Sequence, residues 1–181
     1  SYRVPKMVVS PVLHEDIARE RGELEKTVTV PELFAKADLD TSLRSAFTEM
    51  FRVWGLSYQH ARGTTGCAKA SSEGLRCFFV KGNWARLKTM NRPAIITLFD
   101  GQGLERHALV ESIEKNRVRL NFSGYQAELS MPDFVSSWSG EMISLWRPPQ
   151  LENTVLKPGI TGKDIVWINE RLNRIYGDEY Q

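Results

Sequence analysis

Residues 93 to 130 read PAIITLFDGQGLERHALVESIEKNRVRLNFSGYQAELS, and this stretch decides the fold. Pro93 to Phe99, Glu105 to Ile113, Asn116 to Phe122 and Tyr125 to Ser130 read as strands, and the period of two is plainest in Asn116 to Phe122 and Tyr125 to Ser130, where apolar and polar residues alternate. The breaks between them, Asp100 to Gly103, Glu114 to Asn116, and Ser123 with Gly124, are short enough for hairpins. The stretch therefore predicts consecutive antiparallel strands.

Upstream the period changes to 3.6. Leu43, Ala46, Phe47, Met50, Phe51 and Trp54 recur at helical spacing behind Asp40 and Thr41, and Gly55 ends the run, which marks a core helix. Leu33 and Phe34 open a shorter helix after Pro31. Two more helices are predicted near Thr65 to Glu73 and Asn83 to Met90, the second stopping before Asn91 and Pro93. Downstream, Met131 to Trp138 reads as a helical turn begun by Pro132, and Glu141 to Trp146 as a final strand. Helices first and a meander second make an α+β domain.

The first 30 residues carry short β-rich pieces, Met7 to Ser10 and Thr27 to Val30, around a charged stretch from His14 to Lys26. Without a core of its own, this segment is expected to be an arm that completes a partner's sheet. Its deletion should then weaken a complex and leave the fold intact. At the other end, Arg147, Pro148, Pro149 and Gln150 break the pattern and begin a linker through Pro158 and Gly159. One further helix follows, capped by Thr161, with Ile165, Ile168, Leu172 and Ile175 on one face and Gly177 at its end.

With 24 Lys plus Arg against 22 Asp plus Glu, the 181-residue chain has a net charge of +2, and its basic residues lie scattered instead of in a stripe. Nucleic acid is therefore not the expected partner. No apolar run is long enough to span a membrane, and no signal-type series opens the chain. It begins at Ser1, so a longer protein with an upstream targeting segment is expected.

The two cysteines, Cys67 and Cys77, lie ten residues apart across Gly74, one in the first turn of a helix and one at the start of the run Cys77 to Val80. A helix packed on its following strand brings such positions within bridging distance, and a loop this short contributes about 2 to 3 kcal/mol when closed. The alternative is two reduced, buried thiols. Two cysteines with only His60 nearby make no zinc set.

Phosphate loops, dinucleotide fingerprints, paired metal histidines and Gly-x-Ser-x-Gly elbows are all absent from the sequence. His107, with Asn121 on the next strand, has the pattern of an imidazole beside an orienting amide, the base half of a Cys-His-Asn site; the alternative is a half-exposed strand histidine. A thiolate nucleophile is needed to complete that chemistry, and both cysteines are better explained by a bridge. The tryptophans Trp54, Trp84, Trp138, Trp146 and Trp167 suit core or groove packing.

FRVWG at Phe51 to Gly55, GLRC before Phe78, GNWARLKTMNRPAI from Gly82, WSGEM at Trp138 and LWRPP at Leu145 to Pro149 together resemble the periplasmic region of general secretion pathway protein A of type II secretion systems, the ExeA kind. The likeness runs in order over residues 28 to 177. That region in turn resembles the papain-like peptidases that cut double-glycine leaders. The resemblance implies a papain-like domain whose helix near Ser42 to Gly55 stands where those enzymes carry their cysteine. The matching position here is Ser42, with His107 at the histidine position and Asn121 near the acidic partner, so the site is expected to be degenerate and non-catalytic.

LKPGITGKDIVWINERL resembles the opening helix of the small peptidoglycan-binding domain that follows in this family. The expected organisation is an N-terminal arm (1–30), an inactive peptidase-like domain (31–149), a linker (150–160) and the first helix of a truncated peptidoglycan-binding domain (161–181). The resemblance implies a periplasmic scaffold, part of an inner-membrane-anchored protein with an upstream ATPase. Its implied partner is the periplasmic domain of general secretion pathway protein B, in a homo-oligomer or a dimer of heterodimers. Peptidoglycan would be held through the complete C-terminal domain, and the assembly would place the secretin. No cofactor and no membrane contact by this fragment are expected. The rival readings are a glycan- or peptide-binding module, with Trp84 or Trp138 stacking on a ligand, and an active peptidase using His107.

Overall fold

The computed structural model describes Pro5, residues 7–10, 27–36, 38–58 and 63–149, Gly159 and residues 161–176. The charged stretch from His14 to Lys26, His60, the linker residues 150–158 and Gly177 lie outside the described residues. In chain order the elements are β1 (Val8–Ser10), α1 (Val30–Phe34), α2 (Leu43–Val53), α3 (Gly66–Ser72), β2 (Arg76–Lys81), α4 (Trp84–Met90) and β3 (Ala94–Phe99). Then come β4 (Glu105–Glu114), β5 (Arg117–Phe122), β6 (Tyr125–Ser130), α5 (Met131–Ser137), β7 (Trp138–Trp146) and α6 (Lys163–Tyr176).

The strands form one sheet in the order β2-β7-β3-β4-β5-β6, so the predicted meander is continuous, and β7 returns from the far end to insert between β2 and β3. All these pairs are antiparallel. The exception is β1, which runs parallel to Ser112–Glu114 of β4. It takes over the edge of β4 that β3 leaves at Val110.

That pairing changes the reading of the N-terminal arm. Met7, 2% exposed, belongs to the core of this domain, and its amide donates to the carbonyl of Asn91 (3.1 Å). Residues 7–10 thus complete this chain's own sheet. Thr27 to Val30 is not a strand either: Thr29 caps α1 in a reciprocal arrangement with Glu32, and the helix starts three residues before the expected Leu33.

Side-chain alternation gives the sheet two covered faces. On one, Ile96, Leu98, Val110, Leu120 and Leu129 pack with Val30 and Leu33 of α1, Leu87 of α4 and Phe134 of α5. On the other, Ile95, Leu109 and Leu145 meet Phe47, Met50 and Phe51 of α2 and Ala70 of α3. At about 25 cal/mol per Å², burying each such side chain stabilises by about 1.5 to 3 kcal/mol, so these two layers dominate the folding energy. Gly66 is required where α3 meets α2, since an added Cβ would lie 2.3 Å from the Phe47 ring.

Caps match local chemistry: Thr65 accepts from the Ala68 amide, Asn83 from that of Arg86, and Asn91 ends α4 in the left-handed region (φ 46°). The last strand begins earlier than expected, at Trp138, because Gly140 (φ +83°) lets the chain pass against the Gly82 carbonyl, 2.9 Å from where a Cβ would sit. Cys67 on α3 and Cys77 on β2 are joined, with Cα atoms 5.6 Å apart. Replacing both by serine is expected to cost about 2 to 3 kcal/mol, read as a lower urea midpoint at nearly unchanged slope.

The chain divides into two compact units, one through Arg147 and another from Pro148. The second carries α6, where Arg171 lies over the Trp167 ring at 5.2 Å. Its first turn is closed by the Gly162 carbonyl, which accepts from Ile165 and Val166, so Gly162 and not Thr161 occupies the cap. Among the described residues no helix is long and apolar enough to cross a membrane.

Candidate functional site

The N-terminus of α2 and the start of β4 meet on the sheet face that carries Leu109. The His107 amide donates to the Thr41 carbonyl (2.8 Å), and Arg106 Nη1 donates to Thr41 Oγ1 (3.3 Å). Arg106 is itself held by Asp100 Oδ2, through Nε at 3.0 Å and Nη2 at 2.9 Å. Thr41, the residue before the N-cap of α2, is thereby pinned to the strand that carries the imidazole.

Ser42, the position matched to the peptidase nucleophile, is the N-cap of α2. Its Oγ accepts from the Ser45 amide (3.1 Å), and its own amide donates to Asp40 Oδ1 (3.0 Å). A hydroxyl used as a cap satisfies one orphan donor of the helix. His107 Nδ1 meets Thr97 Oγ1 at 3.2 Å on the neighbouring strand. The hydroxyl and the imidazole are each engaged elsewhere, and no nucleophile–base hydrogen bond joins them here.

Burial pushes the His107 pKa down, with the Glu105 carboxylate opposing weakly. A histidine whose folded pKa is lowered contributes its full stability above the ordinary imidazole value of about 6.5 and loses it as the pH falls towards the lowered value. The wild-type domain should therefore lose stability between about pH 7 and 5 more steeply than His107→Gln, as urea midpoints across that range would show.

Asn121 shares the sheet face with His107 but pairs across from Leu109, and its polar atoms go elsewhere. Nδ2 donates to Glu49 Oε2 (3.1 Å) and Glu111 Oε1 (2.7 Å), while Oδ1 accepts from the Gly124 amide (2.8 Å). Arg52 reaches the same carboxylates, at 2.7 Å from Glu49 and 3.3 Å from Glu111, and Gln126 Nε2 donates to Glu111 Oε2 (2.6 Å). The amide thus holds two carboxylates together inside a network that ties α2 to β4, β5 and β6. Glu49, Arg52 and Glu111 escaped the sequence reading. The available signal was parity, since Glu111 and Asn121 fall on the period-two positions that face α2.

Trp84 and Trp138, considered for ligand stacking, lie on the opposite face of the sheet from His107. They flank Phe134, with ring centroids at 5.8 and 5.1 Å, and Trp138 Nε1 donates to the Glu141 carbonyl (3.0 Å). Trp138 also borders a polar depression of about 440 Å³ with Val30, Asp100 and Asp133. Among the described residues no cluster of His, Cys, Asp and Glu has metal-site geometry.

The family model described as "GspA, peptidase C39-like domain" matches residues 31–148. General secretion pathway protein A of Aeromonas hydrophila is 25% identical over 130 residues, covering 72% of this chain and 23% of that protein, so the chain spans under a quarter of its relative's length. Among solved structures, a periplasmic domain of the EpsAB fusion protein of the Vibrio vulnificus type II secretion system superposes with a TM-score of 0.58 at 24% identity, covering 81% of this chain and 64% of that one. The N-terminal peptidase C39-like domain of the toxin secretion ATP-binding protein from Vibrio parahaemolyticus gives 0.47 at 16% identity, over 62% of this chain and all of that one (100%). The EpsAB likeness shows the α+β fold.

Proposed function

This chain belongs to the family of GspA peptidase C39-like domains, and from that premise we propose that it is a non-catalytic periplasmic scaffold of a type II secretion system. It binds the periplasmic domain of general secretion pathway protein B and helps to place the secretin across the peptidoglycan. The observation that carries the reading is the disposition of the would-be catalytic groups. Both cysteines are joined to each other, Ser42 caps α2, and Asn121 is committed to Glu49 and Glu111 instead of His107. An acyl-transfer site needs nucleophile, base and orienting group in sequence, and these residues are held apart by other bonds.

What supports this partner is the naming of the relatives: one is itself called general secretion pathway protein A, and another, of the same fold, is an EpsAB fusion protein. In the same reading the segment from 161 opens a peptidoglycan-binding domain. Calorimetric titration with the periplasmic domain of general secretion pathway protein B should give a saturable heat of binding. Incubation with double-glycine leader peptides should give no cleavage; cleavage that disappears in His107→Ala would overturn the non-catalytic assignment.

A further inference from the structure

Among the described residues, β2 ends the sheet and pairs with β7 alone. Edge strands are ordinarily blunted, because their outward N–H and C=O groups template pairing with another chain. Here the edge instead carries two adjacent aromatic rings on opposite faces, Phe78 at 47% and Phe79 at 67% exposure. Each ring borders an apolar hollow. Phe78 lines one of about 330 Å³ with Met90 and Trp146, and Phe79 lines one of about 580 Å³ with Leu43, Phe47 and Tyr58. A single strand laid along β2 would send alternate side chains into the two hollows, since successive residues of a strand point to opposite faces.

Charge selects the occupant. Arg76 and Lys81 stand at the two ends of β2, Arg92 lines the first hollow, Arg44 the second, and exposed Arg86 follows on α4. Of the β7 residues in register with β2, only Glu141 is acidic, and it already lies opposite Lys81. A second copy of the chain fits poorly: antiparallel self-pairing that sets Phe78 against Phe79 of the copy also sets Arg76 against its Lys81, and like charges directly opposite are destabilising.

From this geometry we infer that the β2 edge receives an extended segment of a partner protein, apolar on both of its faces and flanked by acidic residues. The assignment is independent of which protein supplies that segment. Main-chain hydrogen bonds to β2 provide the pairing, the two hollows read alternate side chains, and the basic frame sets the polarity of the flanks.

The test uses the fluorescein-labelled synthetic peptide Asp-Glu-Val-Ile-Val-Leu-Glu-Asp and a counterpart in which the four acidic residues are lysine. The acidic peptide should bind in fluorescence anisotropy, weaken as salt rises, and slow hydrogen exchange at the β2 amides. Phe79→Ser and Phe78→Ser alter exposed rings and leave the fold intact by circular dichroism, and each should weaken binding about tenfold. Several results would overturn the inference. They are no binding of the acidic peptide at about 1 mM, equal binding of the lysine peptide, indifference to both serine variants, and protection confined to strands other than β2. Formation of a dimer through β2 without peptide binding would assign the edge to a second copy and would equally overturn it.

Discussion

Asn121→Leu is expected to lower the unfolding free energy by about 3 to 5 kcal/mol, the range for breaking a buried charged network by removing one partner. Asn121 is 1% exposed and Glu49 7% exposed, so water has little access to the carboxylates that the amide now separates. Leucine fills the volume but donates nothing. Glu49 and Glu111 would face each other with Arg52 alone between them, and the Arg52 side chain is 59% exposed and correspondingly screened. The Gly124 amide would also lose its acceptor. Asn121→Asp keeps the shape but adds a third carboxylate, whose pKa its neighbours would raise above the unfolded value of about 3.9. Its destabilisation should therefore grow as the pH rises through about 4 and shrink in acid. Urea unfolding at about pH 7 and about pH 4 distinguishes the two variants; equal stability of both to wild type would show that the network does not hold the helix to the sheet.

Removing residues 1–10 should cost a comparable amount, again about 3 to 5 kcal/mol, because burial of a methionine is worth about 2 to 5 on truncation and the pairing with β4 is lost as well. Met7 is 2% exposed in the main core, and β1 supplies the only parallel pairing of the described sheet. A thermal midpoint lowered by several degrees, with partner affinity unchanged for the fraction that stays folded, is the expected result. A truncated protein as stable as wild type would return the segment to the status of a free arm.

Much of this architecture was legible because it is local. The 3.6 spacing of Ala46, Phe47, Met50 and Phe51 selects the face that meets Ile95 and Leu109, and the hairpins of β3 to β6 follow from alternation and turn residues. The sequence offered Thr64 or Thr65 as the cap of α3 and Asn83 at the start of α4, and the structure uses Thr65 and Asn83. What escaped is what depends on distant partners. Insertion of β7 between β2 and β3 brings together residues forty or more apart in sequence, and no periodicity announces it. The parallel docking of β1 has the same character.

The site shows the same division. The sequence offered His107 and Asn121 as an imidazole beside an orienting amide on neighbouring strands, and the two share one face of the sheet. Pairing register, which sets Asn121 against Leu109, together with Glu49 arriving from α2, decided which bonds the amide makes. Trp138 read as the end of a helical turn because Pro132 and the residues after it favour helix. The close pass of Gly140 over Gly82, invisible in the local sequence, turns the chain into β7 there.

The scaffold assignment is tested most directly by the solution mass of this chain measured by light scattering, alone and mixed with the periplasmic domain of general secretion pathway protein B. A mixed species whose mass equals a whole-number combination of the two chains, persisting on dilution to micromolar concentration, is the predicted result. Two components that keep their separate masses at every mixing ratio would contradict it.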